Sequence, residues 1–386
     1  MLAALQGQPT DYVPCSFMIF ANMKRRCKTA VELVERQVEL GLDACAHVGY
    51  LQPSLHPQAR MTTHVEKDGA DTIFVRQIET PKGPLTQRLV QREGWPDTPD
   101  YWIFTDYVVP RAKEVLVKPE QDLAKLPYVL GPSRDEDIAA LRETARAAEA
   151  VAGRHGLLMT GGYASNRPER NRDDGIVGAD AMAWLSGYVD VMTLSLTDPE
   201  IIREYMRIIT DWNLKRIQVY LEETKADLII RRAWYETTEF WTPAAYRAII
   251  APQLKREVDL VHQAGRLFGL LTTSAFMPLL DDILAAGVDV LIGLDPEQGK
   301  GTELADVKRR FASKKRAIWG GVSGALTVEQ GTAADTEKAV VHALATLAPG
   351  GGFILSPVDN VRDDTPLAWQ NTQRFIETWK RERMKA

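Results

Sequence analysis

Short apolar runs and longer amphipathic stretches alternate along the chain, most clearly after residue 151. This alternation is typical of repeated strand–helix units, and runs that are apolar at every position suit parallel strands covered on both faces. The pattern predicts eight strands, over 13–20, 42–48, 156–160, 227–231, 266–272, 288–294, 317–322 and 352–355. The fold class that follows is α/β, as a TIM-type (β/α)8 barrel.

The helices between these strands have recognisable ends. Asp198 and Thr242 each stand before a proline, which favours a helix start because proline needs no N–H partner there. Gly265 and Gly287 precede strands, where a left-handed residue ends a helix. The helix after Thr242 is expected to pack one apolar stripe on the sheet: Ile250, Leu254, Val258 and Val261.

Residues 71–88 differ from this series, because two β-rich runs flank the turn sequence Thr80-Pro81-Lys82-Gly83. They predict an antiparallel hairpin inserted in the barrel, beside an N-terminal elaboration. We therefore expect one domain over residues 1–386. A doubly wound open sheet is disfavoured because no Gly-x-Gly-x-x-Gly follows an early strand.

Composition narrows the class of protein. A formal charge of −5, spread along the 386 residues, makes nucleic acid an unexpected partner. No uncharged apolar run reaches the roughly 18 residues of a membrane span, and residues 1–10 lack the pattern of a secretory signal. Three cysteines suit reduced thiols, so a cytoplasmic location is expected. The sequence leaves open whether the chain forms a homodimer.

Several ordered motifs resemble the uroporphyrinogen decarboxylase superfamily over nearly the whole chain. They are residues 3–7 with Val13-Pro14, 80–83, 240–243, 262–265, 278–282, 286–289, 349–357 and 364–366. The resemblance implies a TIM barrel and two kinds of activity, decarboxylation of uroporphyrinogen or methyl transfer linked to a corrinoid. Fold alone does not choose between them, so the matched site positions decide.

Those positions argue against the heme-pathway reaction. The two arginines that bind propionates in the decarboxylase correspond here to Ile19 and Met23, and its aspartate falls near Tyr50. An anionic tetrapyrrole would lose both charge-assisted contacts. The decarboxylase's histidine after the last strand falls near Asp359.

The zinc ligands of the thiol-methylating branch are also missing. They correspond to residues 271–274, which are Leu-Thr-Thr-Ser, and to Asp359, so no thiolate or imidazole is present. Cys45 and His47 face one side of a strand, but two ligands favour ordinary packing over a displaced metal site. We expect no zinc. A corrinoid, if used, is expected to arrive on a separate carrier protein.

Without zinc, a carboxylic acid has to protonate the leaving group when a methyl group departs. The candidates beyond the strand ends are Glu236, flanked by Trp234 and Tyr235, with Asp295 and Asp359 as further candidates; Asp295 is as compatible with a helix cap. Of Arg231 and Arg232, one should point inward, where it could pair with a substrate carboxylate or with Glu236. The expected substrate-binding residues are Ile19, Phe20, Met23, His47, Tyr163, Arg231, Trp234, Tyr235, Thr273, Ser274 and Trp319.

The resulting hypothesis is a zinc-independent methyltransferase or demethylase. It would move a methyl group from a small methoxylated or methylated compound to a corrinoid protein. Two alternatives remain open: decarboxylation of a small acid other than uroporphyrinogen, and a non-catalytic relative that only binds corrinoid or ligand. Glu236→Gln and Asp359→Asn would have no effect in the last case.

Overall fold

A computed structural model describes residues 1–49, 51, 53–91, 103–104, 112–162, 175–299, 301–358 and 360–384. The strands are β1 (Cys45–His47), β2 (Arg60–Asp68), β3 (Asp71–Glu79), β4 (Leu85–Val90), β5 (Ala112–Glu114), β6 (Leu158–Gly161), β7 (Leu228–Arg232), β8 (Leu267–Leu271), β9 (Val290–Leu294), β10 (Ala317–Ser323) and β11 (Phe353–Val358). Of these, seven form one parallel sheet in the order β1-β6-β7-β8-β9-β10-β11.

The helices surround that sheet. They are α1 (Leu2–Leu5), α2 (Ala21–Lys24), α3 (Ala30–Glu39), α4 (Pro119–Asp122), α5 (Leu126–Val129), α6 (Asp135–His155), α7 (Gly178–Ser186), α8 (Tyr188–Thr197), α9 (Pro199–Glu223), α10 (Pro243–Ala245), α11 (Ala251–Gln263), α12 (Leu280–Ala286), α13 (Leu304–Ser313), α14 (Ala333–Leu347) and α15 (Pro366–Glu382). A π-helical turn, Tyr246–Ile250, joins α10 to α11. In the described part of the chain, no helix combines the length and apolarity needed to span a membrane.

The prediction of a strand over 13–20 is wrong, because this segment does not form a regular strand. Only an isolated parallel bridge from Cys15 to Leu355 of β11 forms there. Pro14 has no N–H to give to a ladder, and the Cys15 N–H donates instead to the Asp43 carboxylate at 2.9 Å. The Asp43 N–H in turn donates to the Cys15 carbonyl at 2.8 Å. The segment therefore contacts β11 on one side and the residues just before β1 on the other.

The hairpin at 71–88 is confirmed as β3 and β4, and it is part of a larger element. Strands β2 and β5 pair with it to give a four-stranded antiparallel sheet in the order β2-β3-β4-β5. In the turn, the Gly83 N–H donates to the Thr80 carbonyl at 3.0 Å, and Gly83 adopts a φ of 105°. Glycine suits this left-handed backbone because it has no Cβ.

Helix ends and faces agree with the pattern in the sequence. The Thr242 side chain accepts the Ala245 N–H at 3.1 Å, while Asp198 precedes α9 without a side-chain cap. Gly265 and Gly287, with φ of 70° and 94°, end the helices before β8 and β9. The predicted apolar stripe is buried at all four positions: Ile250, Leu254, Val258 and Val261.

Candidate functional site

The carboxyl ends of the parallel strands meet at one edge of the sheet, and β7 brings two consecutive arginines there. Leu228 and Ile230 belong to an apolar cluster to which all seven strands contribute, inside the sheet. Ile229 packs in the cluster between sheet and helices. Because side chains alternate along a strand, Arg232 lies on the interior side and Arg231 on the helix side.

Arg231 forms a buried ion-pair network with two carboxylates. Its Nη1 and Nη2 donate to Glu236 at 2.5 and 2.7 Å, and its Nε lies 2.6 Å from Glu257 of α11. The three side chains are each exposed by 3% or less. The Ala179 N–H donates to Glu236, and the Asn213 amide donates to Glu257, each at 2.9 Å.

This network shows the surroundings of two expected site residues, Glu236 and Arg231. Glu236, the first choice as proton donor, has both carboxylate oxygens bound by Arg231, so its geometry is that of a structural ion pair. Arg231, for which a substrate carboxylate and Glu236 were both possible partners, pairs with Glu236 and connects β7 to α11 and to the first turn of α7. Together these contacts fix the strand end that presents Arg232.

On the interior side, Arg232 pairs with Asp180 of α7, a residue that the sequence reasoning missed. The Arg232 Nε donates to Asp180 at 2.8 Å, and the Tyr235 N–H donates to the other Asp180 oxygen at 2.9 Å. The Arg232 guanidinium also lies 3.8 Å from the centroid of the Trp234 ring, a cation–π contact. Complete burial raises the pKa of Asp180 to about 6, although the Arg232 charge opposes the rise.

Aromatic side chains surround this pair. The Tyr235 ring lies 5.5 Å from Trp184, 4.8 Å from Tyr188 and 5.2 Å from Phe240, measured between centroids. The rings pack against one another, so Tyr235 belongs to an apolar wall beside the site. The Arg232 and Asp180 side chains are 1% and 0% exposed, and the exclusion of water strengthens their electrostatic attraction.

Asp295 follows β9, and its two carboxylate oxygens differ in their hydrogen bonds. Its Oδ1 accepts the N–H groups of Glu297 and Gln298 at 2.8 and 2.9 Å, which is the cap that the sequence left open. Its Oδ2 is buried, and among the described residues no donor meets it in standard hydrogen-bonding geometry, although the Ser323 side chain is close enough to lower the pKa of the carboxyl. Burial raises the pKa of Asp295; the two backbone donors and the nearby Ser323 hydroxyl offset part of that rise.

Several expected substrate-binding residues lie on the interior side. Ile19 and Trp319 belong to the interior cluster, and Trp234 packs against it. The Trp319 indole N–H donates to the Ser16 carbonyl at 2.9 Å, so this ring is also held by the core. His47 Nδ1 lies 2.7 Å from the hydroxyl of Thr160 on the adjacent strand β6.

Other expected residues lie elsewhere. Phe20 and Met23 pack in the cluster between sheet and helices, away from the interior. Thr273 is half-buried, and the Ser274 hydroxyl donates to Glu239 at 2.9 Å near the surface. Tyr163 and Asp359 fall outside the described residues. Among the residues that are described, no group of three or more His, Cys, Asp or Glu side chains is arranged to hold a metal ion.

Comparison with protein families identifies the chain. A family model described as Uroporphyrinogen decarboxylase (URO-D) matches residues 180–381, more than half of the 386 residues. The chain belongs to the uroporphyrinogen decarboxylase family. The match begins at Asp180 and includes β7 to β11, so the URO-D region contains both arginine pairs and Asp295. No curated protein matches the chain.

One solved structure supports a common fold for this URO-D family member. A methyltransferase from Methanosarcina mazei is similar at a TM-score of 0.60 and 16% identity, covering 98% of this chain and 97% of that chain. A B12-independent methionine synthase from Shewanella sp. W3-18-1 has a TM-score of 0.42 at 8% identity, covering 96% and 97%. Only the first similarity is high enough to show a common fold.

Proposed function

We propose that this URO-D family member is a methyltransferase that moves a methyl group from a small methylated or methoxylated compound to a corrinoid carried by a partner protein. The similarity in fold to the Methanosarcina mazei methyltransferase supports this choice within the family. The segment around Cys15, which lies in space between β11 and β1, would then take the place of the eighth strand of a (β/α)8 barrel. The reaction would occur at the carboxyl end of the barrel strands.

The buried Oδ2 of Asp295, which meets no donor in standard hydrogen-bonding geometry among the described residues, is the observation that carries the chemistry. A buried carboxyl whose pKa is raised can keep a proton closer to neutral pH than an exposed one. Asp295 Oδ2 would donate that proton to the oxygen or nitrogen that loses the methyl group. Since the residue is 0% exposed, the substrate has to reach Oδ2 from within the fold. The backbone donors on Oδ1 keep the carboxyl in place.

The corrinoid is a co-substrate in this proposal. When bound, it supplies the nucleophile that accepts the methyl group. The side chains of this chain that would face the methyl donor are apolar or aromatic, notably Ile19 and Trp234 at the interior cluster. A lining of this kind suits a small, partly apolar donor such as a methoxyaromatic. No zinc is invoked, because residues 271–274 and Asp359 offer neither thiolate nor imidazole.

The test mixes the protein with a reduced corrinoid carrier and a panel of methoxyaromatics. The absorbance of the corrinoid reports how fast methyl-corrinoid forms. Asp295→Asn keeps an oxygen that can accept the N–H groups of Glu297 and Gln298 but removes the acidic proton. We expect its rate to fall by about 10² or more. Glu297→Gln, in the same loop, is the matched control and should stay near the unmodified rate. Absence of turnover across the panel, or a full rate in Asp295→Asn, would count against the proposal.

Decarboxylation of a small acid is the second candidate, and Arg232 favours it. A guanidinium on the interior side of β7 is suited to bind a substrate carboxylate if Asp180 becomes protonated. This alternative requires CO₂ release from small acids without any corrinoid. Measuring CO₂ with and without the carrier separates the two candidates.

A further inference from the structure

A cavity of about 430 Å³ lies outside the parallel sheet, between α9 and the residues that join α5 to α6. Its floor is apolar, with Leu130, Ile208 and Trp212 among the lining residues. Trp212 is only 6% exposed, and its indole N–H donates to the Gly131 carbonyl at 3.1 Å, which fixes the ring. The volume is in the usual range for small-molecule sites.

Cationic and N–H donor groups border this apolar floor. The guanidinium of Arg216, a residue 5% exposed, lies 4.4 Å from the Trp212 ring centroid, and its Nη2 donates to the Leu51 carbonyl at 2.9 Å. Lys215 and His56 also line the cavity. His56 Nδ1 accepts the Gln58 N–H at 3.1 Å, so Nε2 carries the ring proton and is a donor whether or not the ring is charged.

The carboxylate on the cavity wall does not neutralise these groups. Asp211 is bound by Arg207 at 2.5 Å and by Arg256 at 2.7 Å. Arg207 is itself held by Glu204 at 2.6 Å. Lys215 is exposed, and no ion pair to it is found within the described residues. An anion entering the cavity would therefore meet an ammonium group that has no carboxylate partner there, next to an ordered aromatic ring.

We propose that this cavity is a binding site for a small amphipathic anion, with an apolar, preferably aromatic, body on Trp212 and Ile208 and its carboxylate, sulfonate or phosphate at Lys215. Burial of the apolar body and a charge-assisted contact at the rim both contribute to binding. The proposal rests on the residues that line this cavity and does not depend on the proposed methyl transfer.

The probe is 1-anilinonaphthalene-8-sulfonate, titrated into the full chain by calorimetry and fluorescence. Its neutral analogue, N-phenyl-1-naphthylamine, has the same ring body without the anion. We expect one sulfonate molecule per chain and at least tenfold weaker binding of the analogue. Lys215→Glu should weaken sulfonate binding by about tenfold or more, because it reverses the charge at the rim. Lys314→Glu, an exposed lysine at the end of α13, should change it by less than twofold.

Ile208→Glu checks the location independently, since it places a carboxylate against the floor. Binding lost in Ile208→Glu and Lys215→Glu but kept in Lys314→Glu supports the site. Equal binding of the two dyes, or equal affinity in Lys215→Glu and Lys314→Glu, overturns it. Thermal unfolding of each variant separates lost binding from lost folding. Lys215 is exposed, so Lys215→Glu should unfold at the temperature of the unmodified chain, whereas Ile208 packs against the core and its replacement should lower that temperature.

Discussion

Arg231→Met is the change that tests the ion-pair network on the helix side of β7 most directly. The methionine retains much of the length and apolar body of the side chain but leaves Glu236 and Glu257 facing each other without a cation. Both carboxylate side chains are 1% exposed, so water cannot replace the guanidinium. Removing one partner of a buried ion pair costs about 3–5 kcal/mol.

The substitution leaves two buried carboxylates without their cation, so we expect a destabilisation near 5 kcal/mol, comparable with the entire stability of some domains. Urea unfolding followed by circular dichroism measures it. Arg247→Met is the matched control: Arg247 pairs with Asp282 but is 57% exposed, and its loss should cost less than about 1 kcal/mol.

The pH dependence gives the same experiment a second result. Burial raises the pKa of Glu257, while Arg231 opposes the rise. Without Arg231, the folded state favours the protonated form of Glu257 more strongly. The contribution of Glu257 to the stability of the variant is then complete at low pH and is lost as the pH rises through the raised pKa. Arg231→Met should therefore be more stable at pH 5 than at pH 8. A loss below about 1 kcal/mol, or one equal at the two pH values, would refute the network's assigned role.

Two further predictions concern α7. Because the pKa of Asp180 is raised from 3.8 to about 6, its stabilising contribution is complete below pH 4 and is lost as the pH rises through 6. The free energy of unfolding of the unmodified chain, relative to that of Asp180→Asn, should therefore fall by up to about 3 kcal/mol between pH 4 and 7. Denaturant titration of both proteins measures it. In Gly178→Ala, the new Cβ would lie 2.2 Å from both the Arg231 Nη2 and the Glu236 Oε1, at a φ of +56°, so we expect a loss of about 2–4 kcal/mol in thermal unfolding. The control is Gly153→Ala in α6, where nothing lies within 4 Å of the new Cβ; it should stabilise the chain by roughly 0.5–1 kcal/mol. Similar effects at both glycines, or a flat pH profile for Asp180, would contradict these predictions.

The parallel strands could be predicted because each is apolar at nearly every position and ends at a recognisable turn. The prediction at 13–20 failed because hydropathy does not show which hydrogen bonds a segment can make. Pro14 lacks an N–H, and the Asp43 side chain takes that of Cys15. The wider antiparallel sheet was missed because β2 is mostly exposed or half-exposed along its length, so no buried face marks it.

The site was only partly predictable. The alternation of Arg231 and Arg232 shows that the two side chains point to opposite faces, but β7 is buried at all five positions, so the hydropathy pattern does not reveal which face is interior. The sequence carried one signal for Asp180: it is the single charged residue in Gly178–Ser186. The structure shows that every residue of this helix is buried. A carboxylate in such a helix needs a partner, and the partner, Arg232, lies 52 residues away in the chain.

The two arginines of β7 hold α7 from opposite faces of the strand. On the helix side, Arg231 positions Glu236, whose carboxylate accepts the Ala179 N–H at the start of α7. On the interior side, Arg232 binds the next residue of the same helix, Asp180. Because adjacent helical residues are fixed by adjacent strand residues, a shift of Glu236 cannot leave the Arg232–Asp180 geometry unchanged. The helix-side network is thus coupled by position to the Arg232–Asp180 pair on the interior side.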